Sequence, residues 1–449
     1  MGNSDIAIFF ITRGVDQKTM QGRKVIVIGG GPAGLMAAGQ AAAAGAETLV
    51  LEKMKRTGLK LRITGKGRCN LTNVAEVRDF INRFGPSGRF LRQAFARFFS
   101  EELMAFFEEL GLELVTERGG RVFPASGKAT EVAEQLRSWC TACGARIQTA
   151  QPVDGLVLRD GRVVGVRSQG KELECDAVVV ATGGASYPRT GSSGDGYHLL
   201  EAVGHTIIAP RQALVPLETS GVDTAKLADL NLRNIGVRLL VNGKRRRQEF
   251  GEVLFTSFGL SGPVTLTLSG QVVDELRQGN GVSLSLDLKP ALDEQKLEAR
   301  LQRDIAGRGK EELQSLLRGL LPRELVPVCL KKTGLAADQL GFTISAKQRR
   351  RLRSWLKDFR LDVRRPRPLA EAIVTAGGVD TREIDPRTMG SKKVAGLYVV
   401  GELLDLQADT GGYNLQAAFS TGWLAGRSAA ERDTPVVGTQ ADREAHRSC

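Results

Sequence analysis

Three glycines and one acid carry the first chemical signal in this chain. Gly29, Gly31 and Gly34 stand in the spacing G-x-G-x-x-G, with Pro32 and Ala33 between them, and Glu52 follows eighteen residues after the last glycine. In that spacing the first glycine permits a tight turn, the second lets a pyrophosphate approach the backbone, and the third lets a helix pack close to a strand. A carboxylate at about that distance accepts from adenosine ribose hydroxyls and disfavours a 2′-phosphate, so FAD or NAD fits better than NADP. The elements that would position these groups are legible around them. Val25–Ile28 is an apolar, β-branched run of the kind buried on both faces of a parallel sheet. An alanine-rich helix follows to about Ala44 and Gly45 stops it, and Thr48–Leu51 is a second strand that ends in Glu52. The helix N-terminus offers N–H groups and a positive dipole end to phosphates. A glycine turn with no ligand is the competing reading, and strand, motif, helix, strand and acid in register argue against it.

Other stretches could complete such a site. Lys53 to Asn73 is a glycine- and base-rich loop, long enough to lie along a dinucleotide and reach its reactive end, or else simply a solvated basic loop. Asp176 to Gly184 is a second buried strand that breaks into glycines at Thr182-Gly183-Gly184. Leu397–Val400 is a strand ending in Gly401-Glu402, where Glu402 is placed to bind ribitol hydroxyls. Asp409 to Gln416 leads into a helix over 417–426, whose N-terminus would cap the flavin edge that gains negative charge on reduction. Cys140-Thr141-Ala142-Cys143 is a C-x-x-C at a helix C-terminus. It has no second pair or nearby His to make a metal site, and it reads as structural. No second G-x-G-x-x-G is present, so a nicotinamide would visit transiently as NAD(P)H.

Composition sets the frame. A chain of 449 residues holds two or three domains and a large core, and its net charge of +13 points to a polyanionic partner or an anionic surface. No apolar run has the length of a membrane span. The scattered cysteines read as reduced thiols of a cytoplasmic protein. Residues 1–23 read as a disordered extension, with Met20 an alternative start, and the tail over 428–449 also reads as disordered. The nucleotide-binding fold is expected to span 24–189 and 371–427. Between them, 190–330 alternates strands and turns as an inserted β domain with helices, including an Asn242-Gly243 hairpin signal. The segment 331–370 reads as a basic helical piece. From Leu330 to Pro368 there are twelve basic residues and three acidic ones, a net +9. Arg349, Arg350, Arg351, Arg353, Arg364, Arg365 and Arg367 would suit RNA phosphates, unless they are a solvated helix face.

Taken in order, GGGPAGLMAA, GKGRCNLTN, ATGGASYPRTGSSGDGY, LFTSFGLSGP, EAIVTAGGV and GLYVVGELLD with TGGYNLQ resemble the signatures of HI0933-like flavoproteins (the BaiN/RdsA type) from about Lys24 to Arg427. The resemblance implies an α/β fold: a Rossmann-like, glutathione-reductase-like FAD-binding domain of ββα three-layer form, with an inserted β-barrel-like plus helical domain. It implies FAD contacts at Gly29, Gly31, Pro32, Ala33, Gly34, Glu52, Lys53, Lys60, Arg68, Cys69, Thr182, Gly183, Gly401, Glu402, Asn414 and Leu415. It also implies hydride delivery from flavin N5 to a conjugated C=C bond. The substrate would be uridine in large-subunit ribosomal RNA, reduced to dihydrouridine, or a small enone such as a steroid. A non-catalytic RNA- or ribosome-binding flavoprotein is a third reading. Cys69 is the candidate proton donor, ahead of Tyr413 and Tyr187. The family's LFTH reads Leu254-Phe255-Thr256-Ser257 here, which leaves His198 and His205 as the other histidines of the folded region.

Overall fold

A computed structural model describes residues 22–431. The expectations for an N-terminal extension, an alternative start and a disordered tail fall almost wholly outside these residues. Gly22 and Arg23 are described, and the last helix runs through Ala430, past the Arg427 at which the fold was expected to end.

The apolar run Lys24–Ile28 is the middle strand of a five-stranded parallel sheet. The order is Leu397–Val399, Ala177–Val180, Lys24–Ile28, Glu47–Glu52, Arg146–Thr149, with Ile28 beside Val180 on one side and Leu51 on the other. Residues from both ends of the chain thus share one sheet. The helix Pro32–Ala43 crosses from the first strand to Glu47–Glu52. It packs backbone to backbone on the last helix, Tyr413–Ala430. A Cβ on Gly422 would lie 2.3 Å from the Ala33 carbonyl oxygen, and one on Gly426 would lie 2.2 Å from that of Ala37. The two glycines and the two alanines are each four apart, so they face each other one helical turn at a time.

Between these parts, six strands close a barrel in the order Leu217–Ser220, Gly259–Ser261, Lys244–Thr256, Asn231–Val241, Val282–Asp287, Phe359–Pro366. Asn242 and Gly243 turn the hairpin with φ of 49° and 76°, the left-handed pair that a two-residue hairpin turn requires. Among the described residues two large hydrophobic cores result, one in the nucleotide-binding part and one spanning Val215 to Ala372, with a small third cluster of Ala213, Leu214, Val374 and Ala376 between them. The antiparallel pair Ile207–Ala213 and Val374–Val379 joins them. Residues 190–206, expected to open the insert, instead belong to the first core through Tyr197, Leu199 and Leu200.

The basic segment 331–370 is helical only in part. Ala346–Lys357 is a helix opened by the Ser345–Gln348 capping box, but Phe359–Pro366 is a barrel strand. Phe359, Leu361 and Val363 are buried while Arg360, Asp362 and Arg364 are exposed, an alternation that only a strand produces. Arg364 and Arg365 therefore sit on a sheet, and Arg367 just beyond it.

One polar cluster near the joint makes stability depend on pH. Buried His205 bonds Glu383 through Nδ1 at 3.0 Å and Ser391 through Nε2 at 2.8 Å. Burial holds the His205 pKa below its ordinary value even though Glu383 opposes it. Burial alone would raise the Glu383 carboxyl, but Lys393, Thr206 and His205 outweigh it and bring it down to about 2. Both folded pKa values lie below the unfolded ones, so both groups give stability that is lost on acidification: from about pH 6.5 downward for His205 and from about pH 4.5 toward 2 for Glu383. The urea midpoint should fall as pH drops below about 6.5, and Glu383→Gln should flatten the part below about 4.5.

Candidate cofactor site

A cavity of about 300 Å³ opens along the C-terminal ends of the parallel strands, the edge where open α/β sheets bind ligands. Two long helices begin at its wall. Gly31 caps the helix Pro32–Ala43, and Gly412 caps Tyr413–Ala430. Their first N–H groups have no intrahelical acceptors, and both dipoles present a positive end to the cavity. The glycines divide the work. Gly29, at φ 104°, lies where a Cβ would come within 2.6 Å of the Ala181 carbonyl oxygen. Gly34 lies where a Cβ would come within 1.9 Å of the Gly29 carbonyl oxygen. A Cβ on Gly31 would meet nothing within 4 Å. That open space at a helix N-terminus is a cradle of the kind a pyrophosphate fills. Thr182 also lines the cavity, but its buried Oγ1 is turned toward Gly196, where an added Cβ would lie 2.0 Å from it.

The acids and lysines of the wall are held in place. Glu52 is buried and accepts from the Gly30 N–H at 2.7 Å and the Met54 N–H at 2.8 Å. Burial raises its pKa, partly offset by those two N–H groups. It stands at the end of its strand with lone pairs left for a ribose. Lys53 pairs with Asp195 and Ser193. Burial pushes the Asp195 carboxyl up, but Lys53 and Ser193 bring it below its ordinary range. Farther along, Lys60 Nζ donates to Glu402 at 2.6 and 2.9 Å and to Ser186 Oγ at 2.6 Å. Glu402 also accepts from the Thr375 N–H at 2.8 Å. This pair lies toward the joint with the insert, where Leu214, Ile373 and Val374 add apolar wall.

Of the expected contacts, Gly29, Gly31, Pro32, Ala33, Glu52, Lys53, Lys60, Thr182, Gly183, Gly401, Glu402, Asn414 and Leu415 all line this cavity. Asn414 does so with its side chain occupied, since it brackets the Ala408 N–H and C=O at 2.9 and 3.0 Å and closes the loop before the helix. Gly34 acts behind the wall, as packing. Arg68 does not reach the wall: it pairs with Glu117 and lies 4.3 Å over the Phe123 ring. Cys69 does not reach it either. The loop turns through left-handed Gly65, Lys66, Gly67 and Cys69, the Cys69 side chain is fully buried, and burial pushes its thiol well above the ordinary range. Fully buried and outside the cavity lining, Cys69 is not supported as the proton donor. Tyr413 is buried edge-on against Phe80 at 4.7 Å, Tyr187 lies off the wall, His205 is held by Glu383 and His198 is exposed. Cys69→Ala should cost about 1 kcal/mol of stability. It should spare turnover the roughly hundredfold or greater loss that removing a proton donor brings, which steady-state kinetics would check. Cys140 and Cys143 are free thiols whose pKa values burial raises to about 12 and about 11, as suits a structural role.

Sequence reasoning missed the wall residues Thr190, Gly191, Ser192 and Asp195, and it missed the joint residues Leu214, Ile373 and Val374. The sequence expectation puts a domain boundary at 189/190, whereas Thr190 to Ser192 and Asp195 line the cavity, and the glycines and serines between 191 and 194 are the available signal.

Comparison with known proteins agrees with this geometry. Residues 23–428 match the family model described as the HI0933-like protein Rossmann domain. The chain is 32% identical over 411 residues to a 3-dehydro-bile acid delta(4,6)-reductase of Clostridium scindens, covering 91% of this chain and 99% of that one. It is 30% identical over 403 residues to a ribosomal RNA dihydrouridine synthase of Haemophilus influenzae, covering 89% and 96%. Among solved structures, a flavocytochrome c3 fumarate reductase superposes with a TM-score of 0.50 at 18% identity, covering 93% of this chain and 81% of that one, a likeness of fold alone. No helix among the described residues is long and apolar enough to cross a membrane. With a dinucleotide cradle at the end of a parallel sheet and a family match over nearly its whole length, this chain belongs to the HI0933-like Rossmann-domain flavoproteins and is an FAD-dependent oxidoreductase.

Proposed function

We propose that this protein reduces uridine to dihydrouridine in large-subunit ribosomal RNA, with NAD(P)H as the transient reductant. When bound, FAD supplies the hydride for a C=C bond conjugated to a carbonyl. The protein's task is to hold the cofactor, exclude water and deliver a proton to the neighbouring carbon. Gly31, Glu52 and the two helix N-termini would hold the cofactor. Among the described residues five ionisable side chains line the cavity: Glu52, Lys53, Lys60, Asp195 and Glu402. Glu52 and the Lys53–Asp195 pair stand at the adenosine end. Lys60, fixed by Glu402 and Ser186 toward the insert, is the group placed to hand over a proton.

The observation that carries the RNA substrate is the net charge of +13, more than recognition of a small neutral enone calls for and suited to a phosphate backbone. The dihydrouridine synthase among its relatives supports the same reading. The apolar wall at Leu214, Ile373, Val374 and Leu406 favours a second reading, reduction of a small conjugated enone, and the bile-acid reductase is the matching relative. Nucleoside mass spectrometry of ribosomal RNA from a strain lacking the gene decides between them. Dihydrouridine should disappear and return with the intact gene. Unchanged dihydrouridine would remove the RNA role.

A further inference from the structure

We propose that RNA docks on the rim where the barrel meets the cofactor wall, through the hairpin tip Lys244, Arg245 and Arg246 together with Arg83. This rests on the ribosomal RNA reading above and assigns it a surface.

The densest arginine cluster in the sequence is held differently, because five of its seven side chains are engaged by partners within the insert. Arg349 and Arg353 both bond Glu298, at 3.0 and 3.1 Å. Arg351 donates to the Thr333 carbonyl at 3.0 Å. Arg365 and Arg367 share Glu218, each at 2.8 Å, and Arg367 also holds Glu371 at 2.7 Å. These contacts tie helix to helix and strand to strand within the insert. Among the seven arginines, Arg350 and Arg364 have no such partner among the described residues.

The hairpin is built differently. Lys244, Arg245 and Arg246 are exposed directly after the Asn242-Gly243 turn. A register shift pairs Leu240 with Arg245 and Leu239 with Arg247, so Arg246 bulges out of the ladder. Arg245 reaches only the Gln248 side chain, at 3.2 Å, and no acid neutralises the three cations among the described residues. The next residue, Arg247, turns the other way. It bonds Glu249 at 2.7 Å and Asp409 at 3.0 Å, and Asp409 also takes Arg83 at 3.4 Å. Thr410, Gly411 and Gly412, which follow Asp409, line the cavity itself. Thr267 of the insert adds a hydroxyl contact to Thr410 at 3.2 Å. The tip is therefore tied through one carboxylate to the loop that opens the last helix. Around this tie, five cations (Arg83 and Lys244 to Arg247) face two carboxylates, Glu249 and Asp409. Exposed cations in excess beside a cavity suit a polymer with a phosphate at each step, whose target base must enter while its backbone stays outside.

The test uses full-length, FAD-loaded protein and unmodified large-subunit ribosomal RNA made by transcription. Binding is measured over a range of salt for the wild type, for the triple variant Lys244→Ala/Arg245→Ala/Arg246→Ala, and for the control Arg350→Ala/Arg364→Ala. Flavin content and circular dichroism establish that each variant is folded. The triple variant should bind about tenfold more weakly or worse near 0.15 M salt, and its slope of log affinity against log salt should be shallower by about two. The control should stay within roughly threefold. A triple variant that binds like the wild type, or a loss confined to the control, overturns the docking surface. If the wild type nonetheless makes dihydrouridine, the RNA reading stands without it. A wild type that shows no salt-dependent RNA binding overturns both. Loss of binding to polyglutamate with RNA binding intact assigns the hairpin to an acidic protein and overturns the proposal.

Discussion

Replacing Gly31 with valine should leave the protein folded and strip it of flavin, whereas replacing Gly34 with valine should damage both. The two glycines are three residues apart in one motif, and their surroundings differ. Gly31 has φ −82° and ψ −176°, an extended conformation open to any residue, and an added Cβ meets nothing within 4 Å. Valine there projects into the cradle and blocks the pyrophosphate. FAD affinity should fall by about a hundredfold or more, because the ligand loses its closest backbone approach. The urea stability of the apoprotein should fall by only about 1 kcal/mol, the cost of a poorer N-cap residue, since nothing is overpacked. At Gly34 a Cβ would lie 1.9 Å from the Gly29 carbonyl oxygen. The helix must back away from the strand, at a cost of about 3 kcal/mol for overpacking, and flavin is lost as a consequence. Flavin fluorescence titration and urea unfolding of each apoprotein measure the two effects separately. A Gly31→Val protein that holds FAD at wild-type affinity would place the pyrophosphate elsewhere.

The second large effect is expected at Lys60. Lys60→Met keeps the apolar stem, removes the ammonium and leaves Glu402 facing Ser186 and the Thr375 N–H without its counter-ion. The side chains of the pair are 22% and 20% exposed, so the cost in stability is about 1–2 kcal/mol, below that of breaking a fully buried pair. Turnover should fall by about a hundredfold or more if the ammonium donates the proton. Flavin should still bind, because the cradle is untouched. Lys60→Arg separates charge from proton: the guanidinium can keep Glu402 company but cannot give up a proton. It should restore stability and leave substrate-dependent flavin reoxidation slow in stopped-flow traces. Reoxidation by Lys60→Arg at the wild-type rate would make the role purely electrostatic.

What could be read from the chain beforehand follows the range of the interactions involved. The nucleotide unit is contiguous, and each of its parts works on its neighbours, so Gly29 to Glu52 could be read directly. The pair Lys60–Glu402 spans 342 residues, and no local pattern joins them. Gly422 and Gly426 look like ordinary small residues in a helix until Ala33 and Ala37 lie against them. Cys69 sits in the right loop by sequence, but the left-handed turns through Gly65 and Gly67 direct it into the core. The strand Phe359–Pro366 was hidden by its own arginines. Their density read as a basic helix, while the alternation of Phe359, Leu361 and Val363 was the stronger signal. Charge counted along the sequence also overlooked pairing. Glu298 and Glu218 engage arginines from 51 and 147 residues away, whereas the shorter Lys244–Arg246 run is exposed along its whole length.

The measurement that tests the central claim most directly is a reconstitution. Purified FAD-loaded protein is given NADH or NADPH and ribosomal RNA from a strain lacking the gene, and the nucleosides are analysed by mass spectrometry. Dihydrouridine should form in proportion to enzyme and be lost with Lys60→Met. RNA left unreduced, while a conjugated steroid enone reoxidises the flavin on the same protein, would contradict that claim and make the small-molecule reaction the native one.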